Sequence, residues 1–151
     1  MLACSFGNKI IMQIIIKNKL TIREVKDKNG NNALYYAAFY GHTHIIEELC
    51  KKEVPYEASD NGTTCLHIAA KRGHLGVVQL LLNYKDIYEK ANHPWDNSIN
   101  INARKHHKST KGATPAFFAA KLGHFEIFKT LHENGAYIED FACVMGGEQE
   151  L

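Results

Sequence analysis

The sequence predicts an all-α repeat solenoid, built from stacked helix-turn-helix units joined by short hairpin-like turns. Three observations lead there. Residues 31–42 (NNALYYAAFYGH), 63–74 (TTCLHIAAKRGH) and 113–124 (ATPAFFAAKLGH) align without gaps, and in each an Ala-Ala pair is followed two residues later by Gly-His. A glycine directly precedes each block, Gly30, Gly62 and Gly112, always eleven residues before the glycine of the Gly-His pair. A second apolar pattern follows each Gly-His: Ile45, Ile46 and Leu49; then Val77, Val78, Leu81 and Leu82; then Ile127, Phe128 and Leu131. Self-similarity at a fixed spacing marks a repeat array.

Each element of the unit has a physical reason. The paired alanines are small enough for neighbouring helices to approach closely, and the glycine after them ends the first helix. The apolar patterns that follow have i, i+1, i+4 spacing, which lines one face of a second helix. One such unit cannot bury both of its faces, so the units must stack and take their stability from neighbour interfaces. The histidines of the Gly-His pairs, His42, His74 and His124, recur with the repeat and are therefore expected to be structural.

These residues resemble the ankyrin repeat, whose signature is T-P-L-H-x-A at a period of about 33 residues. Thr114 and Pro115 keep the start of that signature, Leu66 and His67 keep its end, and Gly135-Ala136 resembles the Gly-Ala after the second helix. Tyr35 and Phe117 stand where the middle copy has His67, and Ala33 and Cys65 replace the proline. In the family that histidine ties the turn to its neighbour, which implies less rigid first and third copies. Threonine before the helix and proline at its first position each deal with an unpaired backbone group at the helix start.

The resemblance covers roughly residues 1–140, with a partial repeat at 1–25, repeats at 26–57, 58–107 and 108–140, and a tail at 141–151. In the partial copy, residues 3–8 mirror residues 69–74, and Ile10, Ile11, Ile14 and Ile15 supply a second helix. The tail has no fourth helix pair, so Ile127, Phe128 and Leu131 are expected to be poorly covered unless residues 141–145 fold back over them. Terminal repeats usually need a polar outer face; the expectation is a fragment of a longer array.

Gly41 and Gly62 are 21 residues apart, but Gly73 and Gly112 are 39 apart. Against about 22 for the family, the middle repeat carries a long insertion, placed at about residues 84–100. Its second helix has no stopping glycine, so residues 83–90 can extend it until Pro94 disfavours helix. Residues 104–108 form a basic run just before the next turn. Insertions in repeat proteins often lie on the binding face. Trp95, the one tryptophan, is either an interface anchor there or a side chain covering the loop's own base.

The resemblance also implies a concave face formed by the residues that flank each turn glycine and the two residues before each Gly-His. By register these are Lys28, Asn29, Asn31, Phe39 and Tyr40 in the first full copy, with Phe6 extending the row. They are Asp60, Asn61, Thr63, Lys71 and Arg72 in the middle copy, and Thr110, Lys111, Ala113, Lys121 and Leu122 in the third. The row is aromatic at one end and basic in the middle, which suits an acidic, partly apolar segment of a protein partner.

Composition leaves function to that surface. A content of 45% hydrophobic and 23% charged residues fits one ordinary domain, and a formal charge of +2 gives no overall pull toward nucleic acid or anionic membrane. Nucleic-acid binding through residues 104–111 is disfavoured by that balance and by the few aromatics in the insertion. The longest apolar run, residues 10–16, is far too short to cross a membrane. The opening MLACS resembles a lipoprotein cleavage box but lacks a basic and apolar leader.

Cys4, Cys50, Cys65 and Cys143 are too irregularly spaced for a disulfide framework or zinc knuckles, which points to a reducing compartment, the cytoplasm or also the nucleus. His93, His106 and His107 lack a carboxylate or cysteine at ligand spacing, so no metal is expected. There is no Gly-rich phosphate loop and no nucleophile elbow; catalytic residues, cofactors and a small-molecule substrate are not expected. The expected function is a non-enzymatic adaptor or scaffold. The alternative is a regulatory or targeting fragment of a larger enzyme, channel or secreted effector.

Overall fold

Helix starts and stops set the architecture. In the computed structural model, residues 25–51, 54, 56, 58–90, 99–106 and 111–137 are described. The partial copy with Phe6, the residues Trp95 and Thr110, and the tail from 141 lie outside the described residues. The described residues form six helices: α1 (Ala33–Tyr40), α2 (Thr43–Lys51), α3 (Cys65–Arg72), α4 (Leu75–Lys90), α5 (Pro115–Lys121) and α6 (Phe125–Glu133).

The first helix of each pair begins on a side-chain cap. Asn32, Thr64 and Thr114 accept from the backbone N–H of Tyr35, His67 and Phe117, which satisfies one of the unpaired donors at each helix start. Pro115 opens α5, where its missing N–H is harmless. At the other end, Gly41 and Gly73 take left-handed φ values of 77° and 80° and turn the chain into the second helix.

Helices α1, α3 and α5 pack side by side in an inner layer, while α2, α4 and α6 form an outer layer. Ala37, Ala38, Ala69, Ala70 and Ala119 are fully buried, so the inner helices meet nearly backbone to backbone. The outer layer contributes Ile45, Ile46, Leu49, Val77, Val78, Leu81 and Leu131. Ile127 and Leu131 are buried, not poorly covered, and α6 lies against α4 as well as α5; residues 141–145, which were to cover them otherwise, lie outside the described residues. Phe128 is half-buried, and the exposed apolar side chains of that end are Leu122, Phe125 and Tyr137.

The Gly-His pair links one repeat to the next. The Nε2 atoms of His74 and His124 lie 3.0 and 3.3 Å from the carbonyl oxygens of Phe39 and Lys71 in the preceding repeat. A Cβ on Gly41 would come within 2.8 Å of the His74 ring, and one on Gly73 within 2.8 Å of the His124 ring. Glycine thus supplies the left-handed turn and also the seat for the next repeat's histidine.

Hairpin turns precede the inner helices and touch each other in series. Within them the N–H groups of Asp27, Ser59 and Lys105 donate to the carbonyls of Asn31, Thr63 and Ala113 at 2.9, 2.9 and 3.1 Å. Between them, Asp60 N–H donates to Asn29 and His106 N–H to Asn61. The third hairpin is wider: Gly112 N–H returns to Lys105, whereas Gly30 and Gly62 return to Asp27 and Ser59, only three residues before them. The extra chain after Gly73 is therefore divided. One part extends α4 to 16 residues against 9 in α2 and in α6, and another falls between Lys105 and Gly112.

Candidate functional site

The residues expected on a concave face lie at the ends of α1, α3 and α5 and on the hairpin arms. Of the residues expected there, Lys28, Asn29, Tyr40, Asp60, Asn61, Lys71, Arg72, Lys111, Lys121 and Leu122 are exposed, and Phe39 is half-buried. Asn31, Thr63 and Ala113 are buried, so these three offer no side-chain surface to a partner.

Each of the three is held inward by turn chemistry. The Asn31 side-chain amide donates to Asp27 Oδ2 at 2.9 Å, and its backbone N–H donates to Asp27 Oδ1 at 2.9 Å. Thr63 donates its backbone N–H and its hydroxyl to the side-chain oxygen of Asn61. The Ala113 carbonyl accepts from Lys105 and lies 3.0 Å from His67 Nε2.

Two hairpins owe their shape to different ionisable groups. Asp27 is partly desolvated, which raises its pKa, but donors from Tyr36, Asn31 and Asn29 outweigh this and hold the carboxyl at about 2. In the middle repeat His67 takes the third position of a capping box: Thr64 N–H donates to Nδ1, while His67 N–H donates to Thr64 Oγ1. Because a carbonyl only accepts, Nε2 carries the proton and donates to Ala113 of the next repeat, and the imidazole is neutral. Burial holds it down at about 4, helped by the charge of Lys105.

Cations and rings interleave along the face. Arg72 Cζ lies 4.2 Å from the Phe39 ring centroid in the preceding repeat, and Lys71 Nζ lies 5.7 Å from that of Phe118 in the next. Lys105 Nζ stands 5.5 Å from the Phe118 centroid and Lys121 Nζ 5.6 Å from that of Phe117. Tyr40 packs edge-on to Phe39 at 4.9 Å and stacks on His42 at 6.1 Å. The middle repeat's two cations thus bridge to both neighbours, within the 6 Å reach of cation–π attraction.

Lys105 was visible in the basic run but not as a member of the row. It occupies the hairpin position of Asp27 and Ser59, and only the carbonyl partner of its N–H reveals that register. Phe117 and Phe118 are buried and form a small apolar cluster with Ala113, so they serve as floor and not as contact surface.

The described residues gather no group of three metal-ligating side chains. Cys50 and Cys65 are buried thiols outside any disulfide; burial raises both, Cys50 to about 11, which leaves them poor nucleophiles. No helix among the described residues is long and apolar enough to cross a membrane.

A family model of ankyrin repeats (three copies) matches residues 1–92, more than half of the chain. The chain belongs to the ankyrin-repeat family. Its third described helix pair, α5 and α6, continues the same stack beyond the matched residues. A search of curated proteins finds no match. Ankyrin repeats generally mediate protein–protein interaction and are typically not enzymes.

Proposed function

We propose that this ankyrin stack is a non-enzymatic adaptor or scaffold that binds a protein partner along its concave face. The observation that carries the reading is the row of exposed ends on α1, α3 and α5: Tyr40, Lys71, Arg72, Lys121 and Leu122, with Phe39 half-buried beneath Arg72. Rings at one end of the row and cations beyond them suit a segment that is acidic and partly apolar, because both charge and apolar area are matched. The register ties hold these positions fixed before binding, which reduces the ordering cost of association.

The reduced, buried Cys50 and Cys65 support a cytoplasmic or nuclear setting. Partner capture from a lysate, comparing the wild-type chain with a Tyr40→Ala, Arg72→Ala double variant, tests the face. Loss of the captured protein supports the assignment; unchanged capture refutes it.

A further inference from the structure

Lys71 and Lys105 come from separate elements, the end of α3 and the arm of the third hairpin, yet their ammonium groups stand over one ring, that of Phe118. The ring is fixed in place: it is 5% exposed and packs edge-on against both His67 and Phe117. A ring face attracts a cation but does not neutralise it. Among the described residues no carboxylate lies within ion-pair distance of either lysine. Lys105 is half-buried, and burial together with the charge of Lys71 pulls its ammonium below the ordinary lysine range.

Two like charges thus share one buried ring, and that of Lys71 is felt by Lys105, an arrangement that a bound anion relieves. The feature is local. Where the third hairpin has Lys105, the first has Asp27 and the second Ser59, so the pair is not a property of the repeat.

We propose that Lys71 and Lys105 form a subsite for a phosphorylated side chain, phosphoserine or phosphothreonine, of the bound protein segment. The proposal rests on the concave-face reading and names the chemistry of one part of it. A carboxylate brings a single charge. A phosphomonoester brings about −1.5 to −2 and three acceptor oxygens, so it meets both ammonium groups at once through charge-assisted hydrogen bonds. The exposed Lys111 of the same hairpin adds positive potential around the subsite. Phe39 and Tyr40, at the other end of the row, hold the apolar part of the segment.

The test uses the full chain, immobilised, and three randomised peptide pools that differ only in one fixed central residue: phosphoserine, glutamate or serine. Retention is measured on the wild type, on a Lys71→Gln, Lys105→Gln variant and on Lys129→Gln, an exposed lysine of outer helix α6. The phosphoserine pool is expected to be retained at least about tenfold over the glutamate pool, because of its second charge and added acceptors. That preference disappears in the Lys71→Gln, Lys105→Gln variant, whose thermal unfolding stays unchanged, and survives in Lys129→Gln. Equal retention of the phosphoserine and glutamate pools, both above serine, overturns the phosphate subsite and leaves the acidic-segment reading standing. Retention of neither acidic pool above serine overturns both. A phosphoserine preference that persists in the Lys71→Gln, Lys105→Gln variant overturns the assignment to these two residues.

Discussion

Gly73 meets two demands at one residue: a φ of 80° and a vacant volume filled by the His124 ring. Gly73→Ala should therefore destabilise the chain by about 2 kcal/mol or more, the left-handed penalty plus a steric clash. In a His124→Ala background the same substitution should cost about half as much, since only the backbone term remains. Urea unfolding of the four proteins in that cycle gives the answer; equal costs in both backgrounds would sink the histidine-seat explanation. His67 makes a second residue-scale case. Its native pKa is lowered from 6.5 to about 4, so between those values the unfolded chain binds a proton that the native chain does not. The stability it contributes is complete above pH 6.5 and is lost as pH falls toward 4. A drop from pH 7.5 to 5 should cost about 2 kcal/mol through this group, and His67→Gln should flatten that part of the urea-midpoint profile.

At the scale of elements, the caps were legible in the sequence and the hairpins only partly so. Thr114, Pro115 and Gly73 answer single backbone demands that few other residues meet, so identity and spacing were enough to place them. The burial of Asn31, Thr63 and Ala113 was not legible, because it follows from which N–H closes each hairpin. The widening between Lys105 and Gly112 was hidden for the same reason: none of the intervening residues has a compulsory backbone state. Capping also yields a graded prediction. Thr114→Ala should cost about 1 kcal/mol as a lost N-cap, and Thr64→Ala more than that, because it also strips a partner from the buried His67. Denaturant unfolding followed by circular dichroism ranks the two; the reverse order would contradict the capping-box role of His67.

For the whole molecule, the inner and outer layers follow from apolar periodicity and alanine placement, and the stack was readable before any coordinates. The cation–ring contacts were not readable. Lys71 and Phe118 belong to different repeats, and only stacking brings them within 5.7 Å. Leu66 and Leu81 are fully buried in the middle repeat, so truncating either to alanine should cost about 2–5 kcal/mol. Amide hydrogen exchange should then rise in both neighbouring repeats, because stability in such arrays resides in their interfaces; a rise confined to residues 65–90 would contradict that coupling. The concave face itself is tested most directly by position against charge. Lys71→Glu on the inner face and Lys129→Glu on outer helix α6 change net charge equally, and both lysines are exposed. Titrated with the captured partner, Lys71→Glu should weaken binding at least about tenfold, by charge repulsion at a complementary interface, while Lys129→Glu stays close to wild type. Equal weakening by both would mean that the partner reads overall charge and that the concave face is not its seat.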